Sequence, residues 1–278
     1  MSTARKLTII GAGNIGRALA VGVTARGLVA PADVTLTRRH VARLDDLAAA
    51  GFRVTDDNRA AVAGADVVVV AVEPQQLDGV LDACGRDLAP ARQVLVSVVS
   101  GVEIMAMAPR LPADMPVVRA MPNTAMAIGQ SMTCLAANAA GEAALPGVEE
   151  LFEALGRTLV VREEMMVPAT ALCACGIAYF LRVIRAASQG GIEIGFHPED
   201  ALQLAAQTAL GAAALVLEQD NHPERQIDHV TTPRGCTIAG LNEMEHAGLS
   251  SAMIRGIVTS ARKAAGLYPG PDDRGGRR

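Results

Sequence analysis

Short apolar runs and longer helix-patterned stretches alternate along the first half of the chain. The runs "LTII" (7–10), "VTLT" (34–37), "VVVV" (67–70), "VLVSVV" (94–99) and "VVRAM" (117–121) are rich in Val and Ile and bounded by Gly, Asp or Pro. That is the mark of buried strands. Ala- and Leu-rich stretches at 14–26, 39–50 and 75–88 lie between them. Strands alternating with helices predict an α/β domain on a parallel, doubly wound sheet. A further pair of strands, "MTCLAA" (132–137) and "TLVV" (158–161), flanks a predicted helix at 141–155.

After about residue 162 the strand pattern stops. Segments 165–195, 198–220 and 236–266 are rich in Ala, Leu, Ile and Gln at helical spacing. The pattern therefore predicts a Rossmann-like domain over 1–162, an all-helical domain over 163–268, and a disordered tail over 269–278, "PGPDDRGGRR". The helix "ALQLAAQTALGAAALVLE" (201–218) is apolar on more than one face. A chain of this size cannot bury several such helices alone, so a second subunit is expected to cover them. One stretch interrupts the helices: "HVTTPRGCTIAGL" (229–241) is small, hydroxylated and punctuated by Pro233 and Gly235.

Composition narrows the function. The 278-residue chain has a net charge of −4, no Trp, two Tyr and four Phe. An acidic surface without aromatic platforms argues against nucleic acid as the partner. Five cysteines, Cys84, Cys134, Cys173, Cys175 and Cys236, form no C-x-x-C pair and suggest neither zinc nor a disulfide framework. The longest uninterrupted apolar run, 171–181, stops at Arg182, short of a bilayer span, so no membrane association is expected. No secretory signal is evident, which leaves a cytoplasmic enzyme as the expectation.

The strongest local motif is "LTIIGAGNIGRALA" (7–20), which places G-x-G-x-x-G directly after a strand and at the start of a helix. Gly11 permits the tight turn, Gly13 lets the backbone approach a pyrophosphate, and Gly16 lets helix and strand pack closely. Asn14 and Ile15 open the helix, whose free N–H groups favour the phosphates. An NAD site usually has an acidic residue at the end of the second strand. Here "TLTRRH" supplies Thr37, Arg38 and Arg39, which suit a 2′-phosphate. NADPH is the expected cofactor, with NADH as the alternative. Ala71, Glu73 and Pro74 in "AVEPQQ", and Asn123 in "RAMPNTA", fall at the carboxyl edge of the sheet, on the expected nicotinamide side.

These motifs, followed in order by "QTALGAAALVLE", "HP" (222–223) and "VTTPRGCTIAGL", resemble the pyrroline-5-carboxylate reductase family across nearly the whole chain. The resemblance implies hydride transfer from NAD(P)H to the C=N carbon of L-Δ1-pyrroline-5-carboxylate, giving L-proline. It also implies a helical dimerisation domain and a homodimer, which in several members assembles to a decamer. In the family, the segment matching 231–238 holds the substrate carboxylate. Thr237 falls on the substrate-binding Thr, and Gly235 and Cys236 would offer N–H groups; a helix N-terminus of small residues is an anion site on physical grounds as well. Cys175 is expected to line the same pocket.

The chain departs from the family pattern around that pocket. Val167 stands in place of an acid, Cys173 and Cys175 in place of serines, Ile177 of a proline, Arg234 of a glycine, and Cys236 of a threonine. Two other readings therefore compete: a reductase of a different cyclic imine, such as a substituted pyrroline or a piperideine carboxylate, and a cofactor-binding protein without turnover. A hydroxyacid dehydrogenase would want a Lys on the first helix of the second domain, and 165–181 contains none.

Overall fold

The structure is a computed structural model that describes residues 5–219 and 222–268; the tail expected over 269–278 lies outside the described residues. Eight strands form one sheet: β1 (Leu7–Ile10), β2 (Val34–Thr37), β3 (Arg53–Thr55), β4 (Val67–Val70), β5 (Val94–Ser97), β6 (Val117–Met121), β7 (Ser131–Ala137) and β8 (Gly156–Val160). Their order is β3-β2-β1-β4-β5-β6-β7-β8. The first six strands are mutually parallel, and the order reverses between β1 and β4. A cleft outside that reversal is where doubly wound sheets bind ligands.

All four residues of β1 and all four of β4 are buried. Such unbroken apolar runs belong to parallel strands covered on both faces. Successive side chains point to opposite faces, so Ile9 joins one core with Leu19, Leu36 and Val96. Ile10 joins the other with Val68, Val70 and Leu81.

Three features depart from the pattern-based expectation. β3 carries no apolar signature, because its three residues sit at the sheet edge with Arg53 exposed and Val54 and Thr55 half-buried. β7 runs antiparallel to β6. The connection at 122–130 holds one short turn (Thr124–Ile128) and is too brief for a parallel crossover. The helix expected over 236–266 is two helices, because Gly248 adopts φ +82°, a left-handed conformation that ends a helix.

The helices that matter below are α1 (Asn14–Ala25), α2 (Pro74–Cys84), α3 (Gly176–Glu193), α4 (Pro198–Gln219), α5 (Pro223–Val230), α6 (Cys236–His246) and α7 (Leu249–Ala265). The chain divides into two compact units. One contains the described residues up to Cys175 together with those from Ser260 onward, and the other is Gly176–Thr259. Residues 163–175 stay with the sheet because Met166 and Ala169 pack on Met121, Cys134 and Ala136. Within that stretch Thr170–Ala174 form a π-helical turn, closed by the Cys175 N–H on the Thr170 carbonyl at 2.9 Å. π turns often mark functional sites.

In the second unit α3 and α4 pair, with Gly191 accommodating Ala201. Only Gly176, Ser188 and Ala201 are buried among its described residues. Phe180 and Leu210 are each 62% exposed. Two helical stretches, Glu163–Glu193 and Pro198–Leu217, are long and apolar enough to cross a membrane by length and composition. Counting uninterrupted apolar residues missed the first of them, since the helix continues through Arg182 and Arg185.

Candidate functional site

The glycine loop leaves β1 and enters α1 under tight packing. Gly11 has φ +99°, and a Cβ there would fall 2.4 Å from the Ala71 carbonyl oxygen. A Cβ at Gly16 would fall 2.3 Å from the Gly11 carbonyl oxygen. Both positions thus exclude a side chain. Gly13 differs: nothing lies within 4 Å of its Cβ direction. Gly13 caps α1 and faces open space, so a ligand can approach its backbone and the unpaired N–H groups of the first turn.

The end of β2 holds this loop in place. The Thr37 carbonyl accepts from the Gly11 and Ala12 N–H groups at 3.2 and 3.0 Å. Arg38 Nη1 donates to the Ala12 carbonyl at 2.9 Å. The buried Thr37 hydroxyl donates to Asn58 Oδ1 at 2.6 Å. Thr37 and Arg38 are therefore partly spent on anchoring the loop. Arg39 and Arg43 are exposed and have no side-chain partner among the described residues.

A cleft of about 660 Å³ opens above the loop, a volume normal for small-molecule sites. Of the sequence-expected cofactor residues, Gly11, Gly13, Thr37, Arg38, Arg39, Ala71 and Glu73 line it. Gly16 is buried beneath it. Pro74 forms the first turn of α2 rather than a wall, while Asn14 and Ile15 line a neighbouring cleft with Arg17 and Arg26.

His40, Arg43 and Asn58 also line the first cleft and were missed from the sequence. Arg43 lies in the 3-10 turn Val41–Leu44 that follows Arg39, and it continues the basic run after the second strand. That signal was available. Asn58 follows β3, and nothing local announces it.

Asn123 is not on this wall. Its Oδ1 caps the following turn by accepting the Ala125 N–H at 3.0 Å. Its Nδ2 lies 3.4 Å from the Cys173 carbonyl, and its N–H donates to Ser131 Oγ at 3.1 Å. The side chain thus joins the β6–β7 turn to the π turn within the first unit. Cys175, half-buried, ends that π turn.

Gly235, Cys236 and Thr237 belong to the second unit. The interruption between α5 and α6 is a tight turn, with Arg234 in the left-handed region at φ +61°. The Gly235 N–H donates to the Thr232 carbonyl at 2.9 Å, so that donor is occupied within the turn. This differs from the expectation that Gly235 offers it to a ligand. Cys236 and Thr237 open α6, both exposed, where N–H groups lack acceptors within the helix.

The sheet order, the glycine loop and the arginine-lined cleft define a dinucleotide-binding oxidoreductase. Residues 6–101 match the family model described as NADP oxidoreductase, coenzyme F420-dependent, and residues 163–267 match pyrroline-5-carboxylate reductase dimerisation. Pyrroline-5-carboxylate reductase 2 of Dictyostelium discoideum is 43% identical over 94% of this chain and 92% of its own length. Pyrroline-5-carboxylate reductase 1 of the same organism is 50% identical, and the match spans 50% of that longer relative. A solved pyrroline-5-carboxylate reductase from Coxiella burnetii superposes with a TM-score of 0.88 at 29% identity, covering 96% of this chain and 100% of that one. The chain belongs to the pyrroline-5-carboxylate reductase family.

Proposed function

We propose that this protein reduces L-Δ1-pyrroline-5-carboxylate to L-proline with NADPH. The observation that carries the reading is the end-to-end match to a relative of that name, in a chain whose glycine loop opens a dinucleotide-sized cleft.

When bound, NADPH would supply the hydride, from its nicotinamide C4, that the electrophilic C=N carbon accepts. The chain's own part is position and field. Gly13 and the first N–H groups of α1, including those of Asn14 and Ile15, receive the pyrophosphate; Gly11 and Gly16 keep the loop tight. Arg39 and Arg43, with His40, face the 2′-phosphate, while Thr37 and Arg38 hold the loop on which it rests. Ala71 and Glu73 frame the nicotinamide side, Pro74 starts the helix behind them, and Asn123 fixes the β6–β7 turn.

The N–H groups of Cys236 and Thr237 and the Thr237 hydroxyl receive the substrate carboxylate, with Gly235 shaping the turn. The hydride and one proton, the latter reaching the ring nitrogen from a hydroxyl or water, complete the amine. No covalent nucleophile is required.

The protein works as a homodimer, with association to a decamer as the larger form and the cytoplasm as its place. The exposed apolar faces of α3 and α4 support self-association, because monomers rarely expose such large contiguous patches. Cys175, Arg234 and Cys236 favour one rival reading, a different cyclic imine carboxylate.

The test is NADPH oxidation by purified protein with pyrroline-5-carboxylate, beside NADH and a panel of other cyclic imines. A kcat/KM of about 10⁴ M⁻¹s⁻¹ or more is expected for pyrroline-5-carboxylate. NADPH binding with turnover only of another imine would transfer the assignment to that substrate. Binding without any turnover would leave a cofactor-binding protein.

A further inference from the structure

The π turn brings together two thiols that the proposed reaction does not use. Cys134 lies in β7, paired with Met121 of β6. Cys173 lies in the π turn Thr170–Ala174. Both belong to the small apolar cluster of Met121, Cys134, Ala136, Met166 and Ala169, on which Cys173 packs. Cys173 therefore packs on the same small cluster that holds Cys134, and each thiol is the largest influence on the other's titration. Both are free cysteines, Cys134 buried and Cys173 half-buried.

We propose that Cys134 and Cys173 form a reversible disulfide that locks β7 to the π turn beside the site. Two free thiols from different elements, held in one packed cluster, are the geometric starting point for such a bond.

The pair is also chemically asymmetric. The Cys134 hydrogen bond draws the Cys173 thiol down to about 7, because a donor to sulfur favours the thiolate. Cys134 is pushed well above the ordinary thiol range, first by that same bond and then by burial. Cys173, the more exposed of the two, is the attacking thiol and the buried Cys134 the resolving one. The other cysteines are unlike this pair. Burial pushes Cys84 up to about 11, and its thiol donates to the Val80 carbonyl. Cys236 is exposed and belongs to the other unit.

The exchange balances with a low-molecular-weight disulfide as oxidant. The Cys173 thiolate attacks one sulfur of that disulfide and expels a small thiolate, leaving a mixed disulfide. The Cys134 sulfur then attacks Cys173 and expels the second small thiolate, which takes up the Cys134 proton. Two protein thiols are oxidised and one small disulfide is reduced to two thiols.

The lock acts on residues already placed near the site. The Cys173 carbonyl faces Asn123 Nδ2 at 3.4 Å, and the Cys175 N–H closes the π turn on Thr170. A covalent tie at Cys173 displaces both. This consequence rests on the reductase reading; the linkage itself does not.

The experiment treats the full-length protein with glutathione disulfide and maps its peptides without reduction. A Cys134–Cys173 linkage is expected, with loss of most pyrroline-5-carboxylate reduction and recovery in dithiothreitol. Cys173→Ser and Cys134→Ala should each abolish the linkage and the loss together. Linkage is read by mass alone, so it decides the chemistry even if the protein turns over no imine. Oxidised, folded protein without that linkage would overturn the proposal, and so would linkage that leaves activity unchanged in an active enzyme. If Cys134→Ala does not fold, the more exposed Cys173→Ser carries the comparison. The rate of iodoacetamide reaction at Cys173 should also rise as pH passes upward through about 7, and a rise only near the ordinary thiol range would remove the attacking thiolate.

Discussion

The Arg119 guanidinium lies 3.4 Å from the Glu163 carboxylate, and the same carboxylate oxygen accepts the Ile104 N–H at 2.6 Å. Three parts of the first unit meet there: β6, the segment after β5, and the start of the helical stretch that carries Cys173 and Cys175. Arg119 is 1% exposed, and its Nε and Nη2 have no partner. Burial lowers its pKa and Glu163 opposes that shift. The arrangement is a clamp with one buried charge and one hydrogen-bonded carboxylate, and Glu103 adds a weaker attraction.

Removing the partner should therefore be worse than removing the charge. Glu163→Ala strands a buried cation and is expected to cost about 3 kcal/mol. Arg119→Met removes the cation and fills the space with apolar atoms, so a smaller loss is expected. Urea denaturation at one fixed protein concentration compares them, and the reverse order would show that the guanidinium is stabilised by something other than Glu163.

The glycine loop separates folding from binding. Gly13→Ala meets no steric clash but puts a poor cap residue in place of a good one, so about 0.5–1 kcal/mol of stability should be lost. Its NADPH affinity should fall about tenfold or more, equal to about 1.4 kcal/mol, because the methyl enters the ligand's space. Gly16→Ala drives a methyl into the Gly11 carbonyl and should lower stability as well. Calorimetric binding beside thermal melts reads both, and unchanged NADPH affinity in Gly13→Ala would move the pyrophosphate elsewhere.

The arginines after β2 divide by task. Arg39→Ala and Arg43→Ala should raise KM for NADPH by about tenfold or more, the scale of one charge-assisted bond, and leave NADH nearly untouched. Arg38→Ala should weaken both cofactors, since its guanidinium bonds the Ala12 carbonyl of the loop. Steady-state kinetics with each cofactor decides, and equal effects on both from Arg39→Ala would deny it the 2′-phosphate.

Thr237→Ala should raise KM for the imine carboxylate by about tenfold, one hydroxyl bond to a charged group, with little change in KM for NADPH. Equal losses for the two ligands would remove Thr237 from the substrate site.

The local sequence determined much of this protein. Val67–Val70 read as a buried strand because parallel strands are apolar on both faces. Gly11 and Gly16 specified the turn, since a side chain at either would strike backbone a few residues away or beside the neighbouring strand, while Gly13 leaves open space for a ligand. The absence of a carboxylate after β2 was legible too. The apolar face of α4 announced an interface by its composition alone.

Other features depend on partners distant in sequence, and only the tertiary structure decided them. β3 exists because Thr35, Leu36 and Thr37 of β2 pair with it, not because of its own pattern. Arg38 lines the cleft but also gives Nη1 to Ala12, and the amide of Asn123, read as ligand-facing, is taken up by Ala125 and Cys173. The Gly235 N–H was likewise claimed by Thr232. Cys134 of β7 and Cys173 of the π turn share one apolar cluster, and no spacing rule foretells it. Pattern reports which way a side chain or backbone turns. Whether its hydrogen bonds remain free for a ligand depends on which neighbours folding brings within reach, and that is fixed only when the strands and turns have packed.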